Sequence, residues 1–204
     1  MKQSDTPTAI VSRETRERLD AFAALLLQWN RRINLISRGD EAALWLRHIE
    51  DSLQLVPLVP EGIDRAIDLG SGAGFPGLIL AIATGVTFHL VESDARKAAF
   101  LLEAARATAA PVEVHRSRIE QVSGVTAPLI TARALAPVAT LLGWSVPLLT
   151  ADGICLFPKG RTAKDELTAA ASEWHMNLRQ VASITDPSAT ILQISEIRRA
   201  GDPY

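Results

Sequence analysis

The stretch of sequence that decides the fold reads Ala66-Ile67-Asp68-Leu69-Gly70-Ser71-Gly72-Ala73-Gly74-Phe75-Pro76-Gly77. An apolar run ends at Leu69, and glycines then alternate with other residues. Glycine tolerates positive φ and lets the backbone approach a ligand closely. Pro76 suits the first turn of a helix, where its missing N–H costs nothing. The stretch predicts a buried strand, a bare loop and a helix, with a ligand beyond the carboxyl end of the strand.

Short apolar runs and helical patterns alternate from this loop to the end of the chain. Strands are predicted near residues 66–69, 87–91, 112–115, 129–131, 154–157, 178–184 and 190–197. Helices are predicted near residues 76–84, 95–108, 138–149 and 163–173. This alternation is typical of a mostly parallel sheet with helices on both faces. The last two strands have no helix between them, which predicts an antiparallel hairpin at one edge.

The chain ahead of the loop has a helical pattern. Apolar residues step by three or four from Leu19 to Ile33, which predicts an amphipathic helix beginning near Glu14. A break follows, and Asp40 is a plausible N-cap for a second helix that ends near Val56. We therefore predict a helical extension over residues 1–62, packed on an α/β domain over residues 63–204 that forms a single structural unit.

Composition excludes several classes of protein. The chain has 204 residues, 48% of them apolar, and a net charge of −2, which argues against a uniformly basic protein that coats nucleic acid. No apolar run is long enough for a membrane span, and the N-terminus has no secretory pattern, which predicts a cytoplasmic protein. The single cysteine, Cys155, has no partner for an internal disulfide, and the four histidines are scattered, so no metal site is predicted.

The glycine loop fits two kinds of nucleotide site, besides an ordinary tight turn. Residues 72–77 match the G-x-G-x-x-G pattern of dinucleotide sites, but there the first glycine should follow the strand directly. The alternative pattern, Asp68-x-Gly70-x-Gly72-x-Gly74, is that of S-adenosylmethionine sites, where an acid at the strand end can help hold the ammonium group of the ligand. We favour S-adenosylmethionine as the cofactor.

An acidic residue ends the second predicted strand in Val91-Glu92-Ser93, about 20 residues beyond the loop. The carboxylate of Glu92 can accept hydrogen bonds from both hydroxyls of a ribose, so we assign Glu92 and Ser93 to the cofactor site. The alternative is a solvated acid ahead of a helix that Asp94 caps. Because both candidate cofactors contain a ribose, this residue does not separate them.

The segment after the third predicted strand is where an adenine edge would lie in such a sheet. Backbone groups near Ile119 and the side chain of Glu120 are candidates to read it. Ser117 and Glu120 also have the spacing of a capping box, and the two interpretations are compatible.

Four further motifs accompany the glycine loop and read Trp29-Asn30-x-x-x-Asn34-Leu35, Arg47-His48-x-x-Asp51-Ser52, Ala132-Arg133-Ala134 and Lys159-Gly160. With them the chain resembles the bacterial rRNA methyltransferase G family, also called glucose-inhibited division protein B. The resemblance implies a Rossmann-like class I methyltransferase with a seven-stranded, mostly parallel sheet behind an N-terminal helical cap. It also implies methyl transfer from S-adenosylmethionine to N7 of a guanine in 16S rRNA, with that rRNA or the small ribosomal subunit as partner.

The resemblance also assigns site residues. It places cofactor contacts on Gly70, Phe75, Ile119, Glu120 and Arg133, with Glu92 at the ribose. The candidates for a catalytic role are His48, Asp51 and Arg133. The candidates for RNA contact are Arg47, His48, Lys159 and Arg161. Family members often have an arginine-bearing turn before the last strand. Here residues 186–189 read Asp-Pro-Ser-Ala. We therefore do not assign to this turn the basic contact that relatives make there.

Simpler interpretations of these residues stand beside the functional ones. His48, Asp51 and Ser52 can share a helix face, either presenting polar groups to the guanine or forming a local hydrogen-bond cluster. Arg133 can hold the cofactor carboxylate or the RNA, or it can form a surface ion pair. Cys155 lies within an apolar run and is predicted to be inert core.

Other functions remain open at this point. They are a small-molecule methyltransferase, an NAD-binding oxidoreductase and a non-catalytic RNA-binding protein with a methyltransferase fold. Trp29 is predicted to be core, and His89, His115 and His175 are given no role. We expect a monomer.

Overall fold

The computed structural model describes residues 11–201, and its centre is a seven-stranded sheet. The strands are β1 (Arg65–Leu69), β2 (Thr87–Val91), β3 (Val112–His115), β4 (Ala127–Ala132), β5 (Leu149–Lys159), β6 (Trp174–Ala182) and β7 (Thr190–Arg199). Their order in the sheet is β3-β2-β1-β4-β5-β7-β6. The first five are parallel, and β7 pairs antiparallel with both β5 and β6. This confirms the predicted sheet and its antiparallel edge.

Helices cover both faces of the sheet. The α-helices are α1 (Arg13–Asn30), α2 (Asp51–Leu53), α3 (Gly77–Thr84), α4 (Ala95–Thr108), α5 (Val138–Ser145) and α6 (Ala163–Ala170). Those after β1 begin within one residue of the predicted position. The bounds differ most in the last third of the chain. There β5 starts five residues early, because its first residues are largely exposed and lack the apolar pattern of a buried strand.

The segment between α1 and β1 differs from the single helix that was predicted. It is helical throughout residues 38–53 but changes from a 3₁₀ helix (Arg38–Ala43) to a π-helix (Trp45–Glu50) and then to α2. The predicted N-cap, Asp40, lies inside the 3₁₀ turn, and Ser37 precedes that turn. Asp40 accepts a hydrogen bond from the Ser37 hydroxyl at 2.7 Å and pairs with Arg47. Its carboxylate therefore binds other side chains and does not cap the backbone amides of a helix.

The apolar core is divided between the two faces of the sheet. On one face, α1 packs with α3 and α4, and the Phe22 ring lies 5.6 Å from that of Phe75 and 6.1 Å from that of Phe100. Trp29 meets Phe100 edge-on, which confirms that it belongs to the core. On the other face, α5 and α6 cover an apolar cluster that contains Cys155, whose pKa burial raises to about 12. No helix within residues 11–201 has the length and apolar composition to cross a membrane.

Candidate functional site

A cavity of about 410 Å³ opens where β1 and β2 end, and we call it the loop cavity. Its wall contains seven of the predicted site residues: Gly70, Gly72, Glu92, Ser93, Ile119, Glu120 and Arg133. These residues are spread over more than 60 positions in the sequence. The parallel strands bring them together, because the carboxyl ends of β1, β2, β3 and β4 lie at one edge of the sheet.

The glycine loop presents bare backbone to this cavity. Gly72 has a φ of +54°, and a Cβ placed there would meet nothing closer than the Gly70 carbonyl oxygen at 3.8 Å. Gly74 does not line the cavity. Its φ is +91°, and a Cβ there would lie 3.0 Å from Cβ of Leu78. The lack of a side chain at Gly74 therefore allows α3 to pack closely against the loop. The Leu135 side chain fills the space beside Gly70, where a Cβ would lie 2.6 Å from its Cδ1.

Glu92 is buried, with 8% of its surface exposed, and is held by two backbone amides. Its Oε2 accepts from the Gly72 N–H at 2.9 Å, and its Oε1 accepts from the Asp94 N–H at 2.7 Å. Each carboxylate oxygen has a further lone pair for a ligand. The alternative of a solvated acid is therefore wrong, although Asp94 does cap α4 by accepting from two amides of its first turn.

Asp68 lies beneath the loop rather than on the cavity wall. It is fully buried, and its Oδ1 accepts from the Thr131 hydroxyl at 2.6 Å. Burial raises the pKa of Asp68 to about 6, although the hydroxyls of Thr131 and Ser71 act in the opposite direction. A Cβ on Gly77 would lie 2.5 Å from Cβ of Asp68, so the start of α3 packs directly against this carboxyl group.

Residues 119–121 form a single 3₁₀ turn at the far end of the loop cavity. Ile119 is half-buried and Glu120 is exposed, and both line the cavity as predicted. The capping box does not form, because Arg118 takes the N-cap position and no side chain bonds to the helix end.

A second cavity of about 740 Å³ adjoins the first, and we call it the outer cavity. It lies between the N-terminal helices, the ends of β4 and β5 and the turn between β6 and β7. Its polar and charged lining residues include Arg47, Asp51, Arg133, Lys159, Thr185 and Asp186. Both cavities have Arg133, Ala134 and Leu135 in their walls.

Arg133 stands between the two cavities and ties β4 to the N-terminal helices. It donates to Asp51 Oδ2 at 2.9 Å, to His48 Nδ1 at 3.0 Å and to the Arg47 carbonyl oxygen at 3.2 Å. Its guanidinium carbon lies 5.0 Å from the centre of the Phe75 ring. The Arg133 and Asp51 side chains are only 16% and 17% exposed, so their ion pair is largely buried rather than a surface pair.

His48 is a neutral partner in this cluster. Burial is the main cause that lowers its pKa to about 4, and Arg133 adds to it. The ring accepts at Nδ1 and stacks on Phe75, the two centroids lying 5.0 Å apart. Asp51 and His48 are linked only indirectly, because Arg133 donates to both of them. Ser52 is buried, and its hydroxyl donates to the His48 carbonyl oxygen at 2.7 Å. The predicted cluster exists, but Arg133 organises it.

Of the two basic residues that follow β5, one is committed to an internal pair. Lys159 is buried and donates to Glu166 Oε2 at 2.7 Å and to the Ala136 carbonyl oxygen at 2.6 Å. Burial raises the pKa of Glu166, but Lys159 and Thr162 outweigh it and hold that pKa below its usual value. Arg161 and Arg47 are both exposed, and Arg47 lines the outer cavity.

Two residues of this site escaped the sequence analysis. The Thr185 hydroxyl donates to Asp51 Oδ1 at 2.7 Å. The Gln54 side chain donates to Asp51 and accepts from the Ile184 N–H at 2.9 Å. These hydrogen bonds hold the turn between β6 and β7 against the N-terminal helices. No local pattern signals this, because the partners lie about 130 residues apart.

Comparison with solved structures shows the fold that these cavities belong to. The ribosomal protein L11 methylase from Lactobacillus delbrueckii subsp. bulgaricus has a TM-score of 0.60 and 13% identity, covering 73% of this chain and 78% of that one. The N-methyltransferase NodS from Bradyrhizobium japonicum, in complex with S-adenosylhomocysteine, has a TM-score of 0.57 and 15% identity, covering 87% of this chain and 99% of that one. The sheet is therefore that of class I methyltransferases.

Sequence comparison places the chain more narrowly. It is 57% identical over 189 residues to the ribosomal RNA small subunit methyltransferase G of Gluconobacter oxydans, covering 93% of this chain and 97% of that protein. The protein of the same name from Paramagnetospirillum magneticum is 54% identical, covering 93% and 92%. The family model described as rRNA small subunit methyltransferase G matches residues 15–194. With the glycine loop, Glu92 and the Arg133 cluster all inside that range, the chain belongs to the rRNA small subunit methyltransferase G family.

Proposed function

We propose that this protein transfers a methyl group from S-adenosylmethionine to N7 of a guanine in 16S rRNA. The family supports the class of reaction and of substrate. The single observation that carries the proposal is the pair of adjoining cavities that meet at Arg133. One of them has the donors and acceptors of a nucleoside site, and the other is open and lined by charged groups.

The residues of the loop cavity fit the cofactor. The carboxylate of Glu92 is fixed by Gly72 and Asp94 and can accept from two adjacent ribose hydroxyls. Ile119 and Glu120 offer an apolar side chain and a polar one for the adenine. Gly70 and Gly72 leave room for the chain that links the ribose to the amino acid part. Asp68 remains our candidate to attract the ammonium group, acting by its charge from beneath the loop rather than by direct contact. A volume of 410 Å³ is within the usual range for ligand sites.

The start of α3 argues against the dinucleotide alternative. A pyrophosphate would need free amides at the helix N-terminus. Here Pro76 has no N–H, and the Gly74 amide donates to the Ser71 carbonyl oxygen at 2.7 Å. Residues 73–78 are all buried, and none of them lines the loop cavity. The only residues of the loop on the cavity wall are Gly70 and Gly72.

The outer cavity is our proposed guanine site. It shares residues with the loop cavity, so N7 of a base held there can meet the methyl group directly where the two cavities join, beside Arg133 and Leu135. Arg133, fixed by Asp51 and His48, can hold either the cofactor carboxylate or the base. We assign it a positioning role for both, since its guanidinium lies at the junction.

The chemistry needs orientation rather than a proton acceptor. S-adenosylmethionine supplies a methyl group on a positively charged sulfur, and guanine N7 has a lone pair and no proton to lose. Holding the two in line and excluding water can lower the barrier by several kcal/mol in such a reaction. A neutral His48 with a pKa of about 4 suits this environment, because it adds no charge near the cofactor.

Exposed cations at the rim of the outer cavity are proposed to contact the RNA backbone. Asp186 and Arg47 both line this cavity. Ser188 holds the pKa of Asp186 below its usual value, and Arg161 and Arg47 reinforce the effect. Lys159 is a weaker candidate, because it is buried and paired with Glu166, whereas the side chain of Arg47 is 63% exposed although it pairs with Asp40. Phosphate contacts of this kind position the substrate without reading its sequence.

The test is transfer of labelled methyl from S-adenosylmethionine to RNA from cells that lack this modification. We expect incorporation into 16S rRNA or small subunits at a single guanine, located by borohydride reduction and aniline cleavage, which marks N7-methylguanine. Fully modified RNA is the control and should accept nothing. Transfer only to small metabolites, tight NAD binding without S-adenosylhomocysteine binding, or RNA binding without transfer would each refute the proposal.

Glu92→Gln tests the cofactor site directly. The amide keeps the size of the side chain but replaces one acceptor oxygen with a donor that faces an amide N–H. Losing a charge-assisted hydrogen bond of about 1.5–3 kcal/mol predicts binding of S-adenosylhomocysteine roughly 10- to 100-fold weaker by calorimetry. Glu103→Gln on the exposed side of α4 is the matched control. Equal affinities for the two variants would exclude Glu92 from the site.

We also propose that residues 1–62 form a helical extension packed on a methyltransferase domain over residues 63–204. The core shared by α1, α3 and α4 supports this, with residues 1–10 and 202–204 outside the described part of the chain. We further propose a cytoplasmic monomer. Light scattering during gel filtration tests the oligomeric state, and a dimer would contradict that part of the proposal.

A further inference from the structure

Two histidines and a glutamate meet on β2 and β3, and none of the three lines either cavity. His89 Nδ1 lies 2.9 Å from His115 Nε2 and 3.5 Å from Glu113 Oε2. One ligand atom from each of the three lies within 4.8 Å of the others. The sequence gives no hint of this, because His89 is 24 and 26 residues from its partners, outside any local ligand spacing.

The strand register explains the cluster. His89 is paired with Glu113, and Val91 is paired with His115, in parallel strands. Directly paired residues point to the same face of a sheet, and so do residues two apart on one strand. All three side chains therefore lie on one face, and β3, as the edge strand, leaves that side open to solvent.

The chemistry of the three groups suits a borderline divalent metal ion. Zinc binds imidazole nitrogen at about 2.0–2.1 Å and carboxylate oxygen at about 2.0–2.2 Å, which puts tetrahedral ligand atoms about 3.3 Å apart. Two of the three separations, 2.9 and 3.5 Å from His89 Nδ1, bracket that value. Two imidazoles and one carboxylate also favour Zn²⁺ over Mg²⁺ or Ca²⁺, which prefer oxygen ligands.

The surroundings hold the ligands without enclosing them. The His89 side chain is 12% exposed and that of Glu113 is 64% exposed. One candidate ligand is therefore largely buried, and another is accessible to an ion from solvent. The charged neighbour, Arg65 on β1, is paired with Asp64 at 3.1 Å. The contact between the two rings requires an accepting nitrogen on one of them, and an unprotonated ring nitrogen is also the atom that binds a metal.

We propose that His89, Glu113 and His115 form a binding site for a divalent transition-metal ion, best matched by Zn²⁺, with water as the fourth ligand. The His115 carbonyl oxygen accepts from the Glu92 N–H at 3.0 Å. A bound ion would therefore stabilise the pairing of β2 with β3 beside the loop cavity. The ion takes no part in methyl transfer.

The test uses the full-length protein without a histidine tag, stripped with chelator and titrated with Zn²⁺ alone and with Co²⁺ alone. We expect one ion per chain with a micromolar dissociation constant, the visible absorption of four-coordinate Co²⁺, and a rise in melting temperature on adding Zn²⁺. His89→Gln and His115→Gln should each weaken binding by about 100-fold or more, since even the loss of a supporting group costs 10- to 100-fold.

Two further variants keep the test decisive. His175→Gln removes an exposed histidine on β6 and should leave the affinity unchanged. Glu113→Gln keeps the size of its side chain, barely affects folding at an exposed position, and should weaken binding while the circular dichroism spectrum stays that of the wild type. Absence of stoichiometric binding, or equal affinities for wild type, His115→Gln and Glu113→Gln, would overturn the proposal and leave an ordinary hydrogen bond between two histidines.

Discussion

Gly72 combines a φ of +54° with open space on the side where a Cβ would lie. Gly72→Val therefore costs the fold only backbone strain of about 1–2 kcal/mol, while its methyl groups enter the loop cavity. We expect binding of S-adenosylhomocysteine to be lost, as measured by calorimetry, in a protein that still unfolds cooperatively.

The matched control for that variant is Gly62→Val. Gly62 has a φ of +76°, also has open space where a Cβ would lie, and is outside both cavities. The two variants should lose similar amounts of stability, and only the one at position 72 should lose affinity. Normal binding by Gly72→Val would show that the loop does not contact the ligand in the register proposed here.

Asp68 makes stability depend on pH in a direction that can be worked out. Its folded pKa of about 6 is above the unfolded value of 3.8, so between these values the native state binds more protons than the unfolded state. Stability then falls as pH rises from about 4 to about 6. Asp68→Asn, which keeps an acceptor for Thr131, removes this dependence.

Chemical denaturation at a series of pH values checks this. The difference in free energy of unfolding between Asp68→Asn and wild type should grow in favour of the variant from pH 4 to pH 6 and then stay constant. A parallel titration with S-adenosylmethionine near pH 7 tests whether the charge of Asp68 attracts the ammonium group, and we expect the variant to bind more weakly. A difference in stability that does not vary with pH would contradict the buried, protonated carboxyl group.

At the scale of elements, the contact between the end of β4 and the N-terminal helices contains one largely buried ion pair, that of Arg133 with Asp51 at the start of α2. Arg133→Gln leaves the carboxylate of Asp51 without its charged partner in a site that is about one-sixth exposed. Breaking such a pair from one side costs several kcal/mol when it is fully buried, so we expect a loss of about 2 kcal/mol here. Urea denaturation measures it.

A double-mutant cycle with Asp51→Asn separates the pair from its surroundings. We expect a coupling energy above about 1 kcal/mol, because the two side chains are in direct contact. Arg96→Gln is the control, since the Arg96 side chain is 73% exposed and its pair with Asp94 is worth at most about 1 kcal/mol. A coupling energy near zero would mean that the Arg133–Asp51 pair does not stabilise the fold, and that Gln54 and Thr185 hold the N-terminal helices to the rest of the protein.

For the whole molecule, the shared core predicts that the N-terminal helices and the sheet unfold together. Phe22 of α1 packs between Phe75 and Phe100, so separating α1 would expose both faces of that contact. Large apolar contacts of this kind couple the elements on either side into one cooperative unit.

Tryptophan fluorescence can test this in two complementary variants. One keeps Trp29 and Trp45 of the extension, the other keeps Trp144 and Trp174 of the sheet domain, and phenylalanine replaces the rest. Their urea transitions should coincide with each other and with far-ultraviolet circular dichroism. A transition of the extension alone at lower urea would show that residues 11–62 unfold as a separate unit.

The periodic parts of the sequence were predictive because local patterns decide them. β2 and α4 have the bounds that alternation and capping predict, since a buried strand and an amphipathic helix each carry their own signal. The segment from Arg38 to Leu53 was only partly predictable. Its helical character is local, but its change from 3₁₀ to π-helix accompanies side-chain pairing of Asp40 with Arg47 and of Asp51 with Arg133.

The sequence by itself determined the strand, the bare loop and the acid at the end of the next strand, because these are short-range features of residues 66–92. Only the tertiary structure decided that Arg133 bridges two cavities, that Lys159 is used by Glu166, and that His89 meets Glu113 and His115. Each of these depends on how strands pair or how side chains pack across the chain. Such contacts join residues that no local pattern relates.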